Sequence, residues 1–291
     1  MIDQDKRQEA ILLYDRYTHE GMDRRDFMAR MTAIAGSTAA AELLIAGIAA
    51  SPAAAAIVPA DDKRLTTRTM TFSEGAAKGF KAYVAEPRTR SLKASVLVIH
   101  ENRGLNDYGR DVARRLGLAG FRGVAADFLS ASGGTPANED KAREMIGKLD
   151  LGAVTAAGAA MVRELAKSSR GGKVGAVGFC WGGAFINRLA VLAGKDLDAG
   201  VSYYGTAPNP AEAAKVQSPL LIHLAGLDER VNRSSYPWIE ALRAAKKAVE
   251  YHGYPNVNHA FHNDTSAERY NKAAAELSWE RTIRFFKRNL G

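Results

Sequence analysis

Cysteine is nearly absent: the 291-residue chain has one, Cys180. A single thiol excludes an intrachain disulfide and the zinc clusters that need several thiolates. A long uninterrupted apolar run is also missing. The most apolar stretch, Met31 to Ala56, is broken by Glu42. A carboxylate at mid-bilayer depth is costly, so stable membrane insertion is not expected. There is no basic stripe interleaved with aromatics. The formal charge is +8, and residues 57–291 carry 34 basic against 24 acidic residues, but Arg110, Arg114, Arg115, Lys246 and Lys247 are scattered. This argues against nucleic-acid binding and for a mildly positive field that favours anionic small molecules. What is present, 46% apolar and 25% charged residues, suffices for a sizeable globular core.

Residues 1–60 read as an arm outside the main fold. Residues 4–20 are polar with apolar positions at Ile11, Leu12 and Tyr14, the pattern of a short surface helix. Asp23-Arg24-Arg25-Asp26-Phe27-Met28 then leads into an Ala-rich stretch ending at Ala54-Ala55-Ala56. Paired arginines, a spaced Phe, an apolar run and small residues make a twin-arginine-like export signal with a cleavage site, which predicts a periplasmic or exported protein. Glu42 and the long acidic lead-in depart from that pattern. The alternative is an arm retained on the surface of a cytoplasmic protein.

From residue 65 to 291, strand and helix signals alternate. Thr66–Phe72 and Phe80–Val84 form an opening hairpin. Ser95–His100, Gly123–Ala126, Val174–Val177, Val201–Tyr204, Pro219–Leu224 and Glu250–Tyr254 read as strands. Helices are expected at 110–118, at 139–167 with a break near Gly152, and at 184–192, 236–248 and 267–289. Such alternation predicts an α/β domain, a mainly parallel twisted sheet with helices on both faces.

Functional groups of open parallel sheets gather at the strands' carboxyl ends. After Val174–Val177 comes Gly178-Phe179-Cys180-Trp181-Gly182-Gly183, a G-x-nucleophile-x-G turn in which glycines permit close packing and the central residue is strained and exposed. Taken alone it also reads as a glycine turn with a small buried Cys. After the buried strand Pro219–Leu224 comes Asp228, in Ala-Gly-Leu-Asp, and after the strand Glu250–Tyr254 comes His259, in Asn-His-Ala-Phe. The chain order Cys180, Asp228, His259 is nucleophile, acid, base as in α/β-hydrolases. An imidazole activates a thiol for acyl transfer, and a carboxylate fixes its tautomer. His259 with His262 and Asp264 could instead suggest a metal site, but the helical H-E-x-x-H spacing is absent and no metal is expected. Glu101-Asn102-Arg103-Gly104 follows the strand at 95–100, where this fold supplies an oxyanion amide, so the backbone N–H groups of Asn102 and Trp181 are the candidate oxyanion hole. Glu101 reads equally as a carboxylate able to reach the thiol or as a structural one. His100, His223 and His252 read as structural.

These motifs give residues 65–291 a resemblance to the dienelactone hydrolase (carboxymethylenebutenolidase) family. The resemblance implies an α/β-hydrolase fold and a Cys-His-Asp triad that opens a small ester or lactone, without cofactor. It also implies that Glu101 engages the resting thiol until an anionic substrate displaces it. Well-studied members grip the substrate carboxylate with arginines, one of them four residues beyond the catalytic histidine. Asn263 stands there in this chain, and Arg103 is the candidate to compensate. A carbohydrate or aromatic esterase on the same triad, or a non-catalytic thiol sensor or binding module, are the competing readings. Gly178-x-x-x-Gly182 is not the G-x-G-x-x-G of dinucleotide sites.

Overall fold

The computed structural model describes residues 3–49, 56–88, 94–169 and 172–291. Eight strands form one sheet: β1 (Leu65–Thr71), β2 (Lys81–Pro87), β3 (Ser95–Ile99), β4 (Arg122–Asp127), β5 (Val174–Phe179), β6 (Ala199–Tyr203), β7 (Leu220–Ala225) and β8 (Val249–Tyr254). Their order is β1-β2-β4-β3-β5-β6-β7-β8, antiparallel at β1/β2 and β2/β4 and parallel from there on. The runs of small and β-branched residues explain this. β3, β5, β6 and β7 are buried at every position, as strands covered on both faces must be. β1 alternates polar residues and stays largely exposed at the edge.

The covering helices are α4 (Asp107–Leu118), α5 (Glu139–Gly147), α6 (Leu151–Ser168), α7 (Trp181–Ala193), α8 (Glu229–Ala244) and α9 (Lys272–Leu290). One apolar cluster lies under α6, α7 and α8, with Phe185, Leu189, Trp238 and Leu242; the other lies under α4 and α9, with Val112, Leu116, Phe285 and Phe286. Several boundaries differ from the sequence expectation, and capping accounts for them. α8 starts seven residues early because Asp228 accepts from the Val231 N–H at 3.1 Å, and Pro237 is tolerated inside it. α5 and α6 part at Lys148–Asp150, where Asp150 caps Ala153 at 3.0 Å. α9 begins at Lys272 under the Asn271 cap, which frees the preceding segment for turns beside His259.

The arm is α-helical throughout its described part: α1 (Gln4–His19), α2 (Arg24–Ala35) and α3 (Thr38–Ile48). α1 is a surface helix, as its composition suggests, with one well-buried face. Ala10, Leu13, Tyr14 and Tyr17, spaced for one helical face, are buried with Ile11, whereas Leu12 on the opposite face is exposed. They share an apolar cluster with Phe27, Met31, Ala41 and Ile48. The paired arginines occupy the first turn of α2 behind the Asp23 cap, and Arg24 reaches Asp140 at 2.9 Å in an exposed pair. Ala54 and Ala55 of the expected cleavage site lie outside the described residues. Among the described residues no single helix is long and apolar enough to cross a membrane.

The sheet and α7 are joined by backbone-on-backbone contact. A Cβ on Gly178 would fall 2.1 Å from the Gly182 carbonyl oxygen, and one on Gly182 would fall 2.3 Å from that of Ile99. Gly178→Ala should therefore cost about 1–3 kcal/mol of stability by overpacking. Exposed Gly253, with nothing within 4 Å of its Cβ position, provides the control: Gly253→Ala should stay within about 0.5 kcal/mol in the same urea titration.

Candidate active site

β5 delivers Cys180 to the sheet's carboxyl edge, and α7 starts at the next residue. Cys180 sits at φ 56°, ψ −111°, a region that costs a non-glycine residue energy and is held here by its surroundings. Its N–H donates to the Tyr203 carbonyl at 3.0 Å, and its own carbonyl accepts from Ala184 at 3.0 Å. The thiol is thus fixed at the N-terminus of α7, beside the amides a helix leaves unpaired.

Asp228 follows β7 through a turn locked by Gly226 N–H to the Tyr254 carbonyl (2.8 Å) and Leu227 N–H to the Val257 carbonyl (3.1 Å). One carboxylate oxygen caps α8, and the other meets His259 Nδ1 at 2.5 Å. His259 is 3% exposed, and its Nε2 is buried without a hydrogen-bond partner. One ring nitrogen of His259, one of His19 and Cys180 Sγ lie within 4.8 Å of one another. The geometry therefore gathers all three residues singled out by chain order.

Burial opposes a charge on His259, but the Asp228 carboxylate and then the Cys180 sulfur outweigh it and hold the imidazole at about 10. Asp228 is likewise buried, yet the facing imidazole keeps it below the ordinary carboxylate range. A cationic imidazole against an oriented carboxylate is suited to handing a proton to a leaving group.

The residues around the triad depart from expectation. Glu101 does not engage the thiol. Its buried carboxylate accepts from Asn263 Nδ2 at 2.7 Å and from the Tyr204 hydroxyl at 3.4 Å. Burial raises its pKa, against the pull of Arg269 and the Asn263 amide. The polar partner of the thiol is His19 Nε2, at 3.9 Å. Asn263 is fully buried and committed to Glu101 and Thr265, so it is a support for Glu101 and not a substrate contact. Arg103 is likewise committed, to Glu139 and the Tyr14 hydroxyl, and burial next to Arg269 lowers it to about 10. It does not line the cavity at Cys180. The alternative metal set is also dispersed, with His262 bonded to Tyr108 at 2.7 Å and Asp264 to Arg115 at 3.0 Å. His19, Cys180 and His259 form instead an N,N,S donor set of the type zinc accepts.

The structural histidines have clear tasks. His100 takes the Phe128 N–H on Nε2 at 3.3 Å, bonds the Glu101 carbonyl through Nδ1 at 2.6 Å and stacks on Trp181. His223 bridges Thr282 and Tyr254.

A cavity of about 340 Å³ opens onto Cys180. Asn102 and Trp181 line it, together with His19, Arg143, Arg188, Tyr204 and Arg230. Among the described residues no carboxylate does. Arg188 donates to the Ala184 carbonyl at 3.3 Å, it forms no ion pair among the described residues, and burial lowers its pKa. Arg188 and Arg230 were legible in retrospect: one lies two turns along α7 from Trp181, the other two residues past Asp228.

The raised His259 fixes the sign of a pH effect. Its charge contributes stability that is complete below the ordinary imidazole pKa of 6.5 and lost as pH climbs through about 10. Catalysis by the imidazolium should show the same alkaline limb, falling near pH 10 in kcat/KM. In Asp228→Asn that limb should move toward neutrality, with turnover reduced by on the order of 10²-fold or more.

Comparison with known proteins agrees with this geometry. The dienelactone hydrolase family profile matches residues 80–290. A Saccharolobus solfataricus protein carrying the name carboxymethylenebutenolidase is 30% identical over 254 residues, covering 74% of this chain and 96% of its own. A protein of the same name from Escherichia coli O157:H7 is 30% identical over 256 residues, covering 82% and 93%. Among solved structures, a dienelactone hydrolase of Klebsiella pneumoniae superposes with a TM-score of 0.68 at 23% identity, over 77% of this chain and 98% of that one. The bacterial brefeldin A esterase superposes with a TM-score of 0.61 at 14% identity, over 89% and 85%. The chain belongs to the dienelactone hydrolase family, α/β-hydrolases that act on carboxylic esters and lactones.

Proposed function

We propose that the protein hydrolyses small esters or lactones bearing an anionic group, through an acyl-enzyme on Cys180. The observation that carries this reading is the unpartnered, buried Nε2 of His259. The ring is oriented by Asp228, and a nitrogen of it lies within 4.8 Å of a thiol held at a strained strand-to-helix turn.

The chemistry follows from the placement. The Cys180 thiolate attacks the carbonyl carbon, and the oxyanion is met by the backbone N–H groups of Trp181, at the start of α7, and Asn102, in the loop after β3. A single such donor is worth about 2.7–4 kcal/mol of transition-state stabilisation. Collapse breaks the acyl–oxygen bond, and the His259 imidazolium gives its proton to the leaving oxygen. Water then attacks the thioester, His259 takes a proton from it, and the carboxylic acid leaves as the thiolate re-forms. No step needs a cofactor. Arg188 and Arg230 take the task of holding the substrate anion, since Arg103 and Asn263 are engaged elsewhere.

Cys180→Ala should abolish turnover of short activated esters with the fold intact, as judged by an unchanged thermal melt; undiminished turnover would sink the reading. Arg188→Ala and Arg230→Ala should raise KM for a carboxylate-bearing ester by about tenfold, roughly one charge-assisted contact, and leave that of a neutral ester of equal size unchanged. Equal effects on both substrates would remove the anion preference.

A further inference from the structure

The arm reaches the reacting atoms. His19, the last residue of α1, has its Nε2 3.9 Å from Cys180 Sγ, and its ring stands edge-on to that of His259 with centroids 4.9 Å apart. Thr18 and His19 form part of the wall of the Cys180 cavity. The placement is held along the whole helix. The Gln8 side-chain amide exchanges hydrogen bonds of 2.7 and 3.1 Å with Asn258, the neighbour of His259. Tyr14 accepts from Arg103, the neighbour of Asn102. Asp15 pairs with buried Arg269 at 3.2 Å. Arg143 donates to the Tyr17 hydroxyl at 2.8 Å and stacks on that ring. At the far end, the Ile48 carbonyl accepts from Ser266 Oγ at 2.6 Å and the Gly47 carbonyl from the Glu268 N–H at 3.1 Å.

Except for Arg143, on α5, these partners lie in the loops around the site. Removing the arm would strand buried Arg269 and open the cavity to water. Meanwhile Glu101, whose carboxylate the family resemblance assigns to the resting thiol, is turned to Asn263 and Tyr204. The position beside the sulfur is occupied by His19.

We infer that α1 is a permanent wall of the active site and that His19 is a positioning residue holding the Cys180 thiol in the resting enzyme. The inference rests on Cys180 as the nucleophile. The imidazole suits the task. Its Nε2 bonds the sulfur while the other histidine beside it, His259, remains the proton carrier. The ring also limits how far an acyl group can extend from the thioester. On this reading the paired arginines at 24 and 25 belong to a helix the working enzyme keeps.

The test uses full-length wild-type, His19→Ala and His19→Gln proteins with matched thermal melts, and reads iodoacetamide labelling of Cys180 at pH 7. Labelling should rise at least about fivefold in His19→Ala, because thiol reactivity follows access and hydrogen bonding, and return to within about twofold of wild type in His19→Gln, whose amide can bond the sulfur. Equal rates in all three proteins, or equal acceleration in both variants, would overturn the positioning role. The ratio of kcat/KM for a benzoate over an acetate ester should rise in His19→Ala, and an unchanged ratio would overturn the wall. The intact mass of active enzyme from its native cells should include residues 4–19. A fully active chain beginning after residue 49 would overturn the permanence of the arm. Labelling does not depend on ester turnover, so a failure of the hydrolase reading, seen as undiminished turnover in Cys180→Ala, remains distinguishable.

Discussion

The site depends on one steric constraint, the approach of α7 to the carboxyl ends of β3, β5 and β6. Gly178, Gly182 and Gly183 let these backbones touch, with the carbonyls of Ile99 and Tyr203 occupying the space where side chains would begin. With helix and sheet that close, Cys180 has no room for an ordinary strand-to-helix transition and takes φ 56°. The strain of roughly 1–3 kcal/mol is sustained by buried neighbours on every side. The reward is geometric: the sulfur stands at the helix N-terminus and past the edge of the sheet. Because β3 and β6 flank β5, residues that follow them, Asn102 and Tyr204, fall around the sulfur without any special device.

Asp228 and His259 follow β7 and β8, farther along the same edge. Asp228 serves two roles with two oxygens, capping α8 and fixing His259. The cap holds the carboxylate against rotation, so the imidazole inherits the rigidity of a helix. Burial disfavours each charge separately, but the two favour each other, which explains why Asp228 is lowered while His259 is raised. Removing either partner would leave the other as an uncompensated buried charge.

The sheet, and the gathering of Cys180, Asp228 and His259 along its carboxyl edge, were legible in the sequence because their signals are local. Four strands are buried at every position, Cys180 and Asp228 follow two of them, and His259 follows the half-exposed β8. Chain order then supplied what no single motif could. The first turn of α8 was missed because its signal was a cap, Asp228, already read as a catalytic acid. The environment of Glu101 was missed for a different reason. Its partners Asn263 and Tyr204 lie 162 and 103 residues away, and pairings of that kind follow from packing, not spacing. Arg103 was misjudged likewise, since neither Glu139 nor Tyr14 is marked as its partner by anything near it in the chain.

The arm was the hardest segment to read, because one composition serves two purposes. Paired arginines before an alanine-rich run suit an export signal, and they equally suit short helices that pack closely and carry cations at their exposed turns. The phase of the apolar residues in α1 is the further signal: Ala10, Leu13, Tyr14 and Tyr17 form a buried helical stripe, on a helix that ends at His19. The same stripe relates the two departures from the family pattern. With Asn263 donating to Glu101, the carboxylate is satisfied where it lies and has no cause to swing toward the sulfur. The space it leaves beside Cys180 can then be filled by an imidazole from outside the hydrolase domain. The asparagine and the helical arm are thus parts of one rearrangement of the thiol's surroundings.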